Sequence, residues 1–191
     1  MSDTYLTIEG TSEGYYTEKR SRFLAFVQHV ETADEVKQIV ATYRKKYFDA
    51  RHVCYAYVLG PTRTEFRAND DGEPSSTAGK PILGQLNSNE LTDTLVVVVR
   101  YYGGVNLGTG GLIVAYRQAA ADAIANARIV ERHEEETLTV NFSYLEMNDV
   151  MKVIKDLQPR IIEQTFGNDC RIVMAVRKQD AEIARKRLSV E

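Results

Sequence analysis

The chain has 191 residues, with 24 Lys and Arg against 27 Asp and Glu, a formal net charge of −3, and 43% hydrophobic residues. At about 100–200 residues per domain this is one large domain or two small ones, apolar enough to bury a core, which excludes wholesale disorder. The near-neutral balance excludes a protein whose main task is to coat nucleic acid or an anionic membrane, and leaves room for a local basic pocket.

Residues 1–19 contain no apolar segment of the kind a secretory leader needs. Arg22–Val30 reads as a strand, and Glu31-Thr32 introduces an amphipathic helix with Val36, Ile39, Val40 and Tyr43 on one face. Val53–Leu59 is β-rich, Gly60-Pro61 is a turn, and Thr64–Asn69 is the hairpin partner. The polar segment Asp70–Pro81 follows, then a short helix or turn from Ile82 to Leu86. Leu95–Tyr101 is nearly continuous in apolar residues and suits a strand buried on both faces. A glycine-rich loop leads into the Ala-rich helix Leu112–Ala127. Apolar runs such as Leu95–Val99, five residues, fall far short of the roughly 20 a spanning helix needs.

The acidic run His133–Glu136 marks a boundary, giving domains 1–132 and 133–191. The second holds strand Thr137–Ser143, helix Leu145–Leu157, strand Arg160–Phe166, a turn at Gly167-Asn168, strand Cys170–Arg177 and helix Asp180–Leu188. That β-α-β-β-α order lacks the last strand with which a split β-α-β sandwich closes. Cys54 and Cys170 lack a CxxC spacing, so they read as reduced, buried thiols of a cytoplasmic protein.

Nine of the 12 glycines fall between Gly60 and Gly111. The segment from Arg100 to Gly111 joins a buried strand to a helix. Gly103, Gly104, Gly108, Gly110 and Gly111 let a ligand approach the backbone, and the helix N-terminus favours an anion. Arg100 is the charged partner for that anion, with Arg51 and Arg22 as further bases. The same glycines also serve a purely structural crossover. The spacing matches neither GxGxxG nor GxxxxGK[ST], which excludes the dinucleotide fingerprint and the Walker loop.

The segment Asp70–Pro81 holds three carboxylates, three hydroxyls and Lys80. It reads as a turn with Ser75, Ser76 or Thr77 capping a helix, or as a loop closing over a ligand through Asp70, Glu73, Ser76 and Lys80. It also leaves open a hydroxyl nucleophile paired with His52, or a metal at Asp70 and Glu73. No metal site and no cofactor is specified. Arg51, Val53, Tyr55 and Tyr57 alternate onto one strand face, a pattern that stacks bases or packs as ordinary half-buried tyrosines.

Gly79-x-x-Ile82-Leu83-x-x-Leu86, Leu91, and Val97-Val98-x-Arg100-Tyr101-Tyr102-Gly103-Gly104-x-x-Leu107-Gly108 together resemble the signature of the YigZ/IMPACT family. Lys19–Phe23, Arg51–Tyr57 and Asp70–Gly79 resemble its other blocks. The resemblance implies an α+β fold. Residues 1–132 would be an IMPACT-type domain like domain 2 of ribosomal protein S5. Residues 133–191 would be a small ferredoxin-like domain similar to one in elongation factor G. Eukaryotic members are regulators of translation, so the resemblance implies a translation-linked accessory protein. Its partner would be RNA, a nucleotide or a ribosome-associated protein, with no membrane. A small hydrolase or transferase and a pure protein-interaction module remain the alternatives.

Overall fold

The computed structural model describes residues 3–190. The chain divides into two compact units, Tyr5–Arg132 and a second formed by His133 onward together with Asp3 and Thr4. The elements are β1 (Thr4–Glu9), β2 (Thr11–Glu18), β3 (Ser21–His29), α1 (Ala33–Lys46), β4 (His52–Leu59), β5 (Glu65–Asn69), α2 (Gly79–Ser88), β6 (Thr94–Tyr101), α3 (Gly108–Ala125) and β7 (Arg128–His133), then β8 (Glu135–Phe142), α4 (Met147–Leu157), β9 (Arg160–Thr165), β10 (Cys170–Arg177) and α5 (Ala181–Leu188). The fold is α+β, as expected from the sequence.

The first unit is built on an antiparallel sheet in the order β2–β3–β6–β4–β5. Strand alternation splits β6 between two cores. Val96 and Val98 pack with α2 and α3, through Ile82, Leu86, Ala115 and Tyr116. Leu95, Val97 and Val99 pack with α1, through Val36 and Val40. Each such side chain contributes about 1.5–3 kcal/mol of burial, so a strand between two helical layers has no use for polar positions until its end. Helix α1 starts where Glu35 N–H donates to Thr32 Oγ1 at 3.1 Å, and its last turn carries Arg44, Lys45 and Lys46.

Three strands had no counterpart in the sequence reading: β1, β2 and β7. Strand β2 (TSEGYYTE) is polar because it is an edge strand, with alternate residues exposed. The C-terminal part of α3 covers its outer edge. Ser12 Oγ donates to Ala123 O, Tyr15 N–H donates to Asp122 Oδ2, and Asn126 Nδ2 donates to Glu13 O, each at 2.8 Å. An edge protected by side-chain hydrogen bonds does not template further pairing. β1 and β7 form a separate two-stranded sheet.

In the second unit the antiparallel sheet runs β8–β10–β9. Leu138, Val140, Ile172 and Met174 pack against Val150 and Ala184 of α4 and α5. Asp3 joins this unit because its carboxylate is buried against Arg177, 2.8 Å away. Among the described residues no helix is long and apolar enough to cross a membrane.

Candidate functional site

Arg100 continues the Val96–Val98 alternation onto the α2/α3 face, where strand register sets it between Phe23 of β3 and His52 of β4. The result is a charged side chain only 5% exposed. Glu73 answers it. Arg100 Nη1 donates to Glu73 Oε1 and Oε2 at 2.9 and 2.8 Å. Glu73 Oε2 also accepts from the Tyr116 hydroxyl at 2.6 Å. His52 Nε2 lies 3.1 Å from Glu73 Oε1, and its Nδ1 donates to Asp71 O at 2.7 Å. Both ring nitrogens therefore face oxygen acceptors, which fixes the orientation of the imidazole.

Burial raises the Tyr116 hydroxyl far above its ordinary value, and does the same to the Cys54 thiol, which donates to Asp70 O at 3.1 Å. Both stay neutral donors. Arg100 Nη2 reaches Ser21 Oγ at 3.4 Å, while its Nε is buried with no hydrogen-bond partner.

This network forms one wall of a pocket of about 450 Å³. Arg51 and Tyr102 stand at the pocket, with the Arg51 guanidinium 4.9 Å from the Tyr102 ring centroid. Gly108 and Thr109 supply the start of α3, which has no side-chain cap. Unpaired N–H groups at a helix start favour an anion. One carboxylate, two guanidinium groups, an imidazole and a helix N-terminus leave the pocket electropositive.

Of the residues singled out from sequence, Arg51, His52, Glu73, Arg100 and Gly108 meet in this pocket. From the sequence, Arg100 is expected to be the charged partner of a bound anion. In the structure it is ion-paired with Glu73, because a buried guanidinium is stable only with a partner. Arg22 is exposed on the opposite sheet face, 4.8 Å from the Tyr101 ring centroid, since it alternates with Phe23. Lys80 is exposed on α2, away from the pocket.

Asp70 is a structural cap. Its carboxylate accepts from Ser76 N–H at 2.9 Å, Ala78 N–H at 3.1 Å and Gly79 N–H at 2.8 Å. The expected hydroxyl cap is absent: Ala78 precedes α2 without a side-chain bond, and Thr77 Oγ1 donates back to Pro74 O. Ser76 contributes its N–H to Asp70 and stands outside the pocket lining. These bonds occupy the oxygens that a metal at Asp70 and Glu73 would need.

Gly103 packs against the β2–β3 turn. A Cβ there would lie 2.2 Å from the Arg20 carbonyl carbon. Gly104 takes φ +89° in the crossover. Gly110 and Gly111 line a separate shallow cavity of about 270 Å³ beside Lys19. Tyr57 is buried and Tyr55 half-buried on the α1 side, so that tyrosine face is no open stacking platform. The roles of Tyr116 and Ser21 were missed. The one sequence signal for Tyr116 is a lone phenol on the apolar stripe of an Ala-rich helix.

The family model of the Impact N-terminal domain matches residues 19–124. The IMPACT family member YvyE of Bacillus subtilis (strain 168) is 34% identical over 158 residues, 83% of this chain and 73% of the relative. The IMPACT family member YigZ of Escherichia coli (strain K12) is 33% identical over 150 residues, 78% of this chain and 74% of the relative. A crystal structure of a hypothetical protein aligns over 99% of this chain and 93% of its own, with 28% identity and a TM-score of 0.74. On the family match across the strands and helices that build the pocket, and on these relatives, the chain belongs to the IMPACT family.

Proposed function

We propose that this protein is a cytoplasmic regulatory or accessory binding protein whose pocket takes a phosphate-bearing ligand, a nucleotide or an RNA phosphate. The observation that carries this reading is the Arg100 side chain. It is only 5% exposed, yet it lines the pocket together with the uncapped start of α3. A hydrogen bond from a guanidinium to a phosphate is charge-assisted and roughly twice as strong as a neutral one. Arg51 is exposed at the same pocket and supplies charge without being consumed by Glu73. The link to translation rests on membership of the family, whose eukaryotic members the resemblance of the sequence blocks implies to be regulators of translation. A ribosome-associated protein would then present or compete for the same phosphate.

The test is thermal shift of the full chain with inorganic phosphate, AMP and a short RNA, in wild type and Arg51→Ala. A ligand at 100 times its dissociation constant adds about 2.7 kcal/mol. A shift with a phosphate ligand that falls in Arg51→Ala supports the pocket. No shift, or equal shifts in both proteins, overturns it and leaves protein interaction as the function.

A further inference from the structure

A second cavity lies in the first unit, on the sheet face opposite the Arg100 pocket, and its chemistry is the reverse. It encloses about 380 Å³ between the C-terminal end of α1 and the edge strand β2. Leu24 and Phe26 of β3 form its floor. Tyr47 and Tyr15 flank it, and Glu13 and Asp122 bring carboxylates to its rim. No Lys, Arg or His lines it.

Three features converge on one ligand class. Phe26, Tyr43 and Tyr47 form a continuous aromatic cluster, with centroid separations of 4.8, 5.6 and 6.3 Å. Tyr15 is 51% exposed at the cavity. The Lys46 ammonium stands 5.3 Å from the Tyr47 centroid, so Tyr47 already holds one cation of the chain itself and Tyr15 is the ring left to an incoming one. Helix α3 ends here through Asp122 and Asn126. Helices α1 and α5 each finish with three basic residues, whereas α3 has none in its last turn, leaving the negative end of its dipole uncompensated. Asp122 and Glu13 are both exposed, and Tyr15 N–H donates to one oxygen of the Asp122 carboxylate.

The geometry points to a binding site for an organic cation, an ammonium or guanidinium group on an alkyl stem. The stem lies on Leu24 and Phe26, the charge meets Tyr15, and Asp122 with Glu13 supplies the counter-charge. Two sources carry that chemistry, the side chain of an arginine or lysine in a partner's peptide, and a free polyamine.

The experiment is NMR titration of the full chain, reading the amides of β2 and the end of α3. The probes are N-acetyl-arginine amide, its neutral isostere N-acetyl-citrulline amide, and putrescine. The arginine probe is expected to bind at least about tenfold tighter than the citrulline probe, with about a fivefold loss in Asp122→Asn and in Glu13→Gln. Asp122→Asn keeps an oxygen for Tyr15 N–H, and both residues are exposed, so the variants stay folded. Tighter binding of putrescine than of N-acetyl-arginine amide supports the site and identifies a free polyamine. Equal binding of the citrulline probe, or binding indifferent to both variants, overturns it. Inorganic phosphate serves as the control, and it should leave these amides unmoved whatever it does at the Arg100 pocket.

Discussion

Glu73 holds Arg100 through both carboxylate oxygens, at 2.9 and 2.8 Å, across 27 residues of sequence. The pair ties the Asp70–Gly79 turn to the end of the central strand, so the loop that helps form the pocket also supplies its carboxylate. Removing one partner from such a buried pair costs far more than the pair itself contributes. Glu73→Ala should therefore lower unfolding free energy by about 3–5 kcal/mol, measured by urea denaturation. Glu73→Gln keeps an oxygen acceptor and should cost less, while raising phosphate affinity by freeing Arg100. Unchanged stability in Glu73→Ala would contradict the coupling.

Arg51 offers the cleaner probe of binding. It is exposed and makes no ion pair with Glu73, and its guanidinium rests on Tyr102. Arg51→Ala should weaken binding of a phosphate ligand by about five- to tenfold, the loss of one charge-assisted contact, and change the unliganded stability by less than about 0.5 kcal/mol. Isothermal titration beside a melting curve separates the two effects.

Two glycines of the same crossover should respond in opposite directions. Gly103→Ala places a Cβ 2.2 Å from the Arg20 carbonyl carbon and 2.4 Å from Ser21 N, both backbone atoms. It should destabilise by about 2 kcal/mol or more. Gly110 lies within α3 with open space around its Cβ position. Gly110→Ala should stabilise by about 0.4–1 kcal/mol, by restricting the unfolded chain and favouring helix. Melting temperatures of the two variants decide it.

The Cys54 thiol is buried and pushed up by that burial. It should stay unalkylated by iodoacetamide at neutral pH in the folded protein and react fully in urea, because the thiolate is the nucleophile. Peptide mass analysis reads the outcome, and rapid native labelling at Cys54 would show that its layer opens.

In the second unit, the Arg177 guanidinium holds the Asp3 carboxyl below its ordinary value through a hydrogen bond. A carboxyl lowered in the folded state binds fewer protons there than in the unfolded chain. Its stabilisation is present above the ordinary aspartate value of 3.8 and is lost as pH falls through the lowered one. Stability should decline with acid below about pH 4, and Asp3→Asn should flatten that decline. Denaturation midpoints across pH 2–6 test the sign.

The sequence alone determined the elements with strong periodicity. β6 is legible because five consecutive apolar residues, Leu95–Val99, need burial on both faces, and α3 because its Ala-rich stretch has few other options. The glycine crossover and the family blocks were legible for the same reason: local chemistry dictates local backbone. Edge strand β2 escaped because its polar residues are stabilised by Asp122 and Asn126, more than 100 positions away. The site was divided in the same manner. Residue types named Arg51, His52, Glu73, Arg100 and Gly108, but only strand register placed Arg100 beside His52, and only packing of α3 brought Tyr116 to Glu73. Sequence spacing assigns a charge to a segment. Tertiary structure decides whether that charge faces a partner, as Arg100 does, or open solvent, as Arg22 does, because one step along a strand reverses the face.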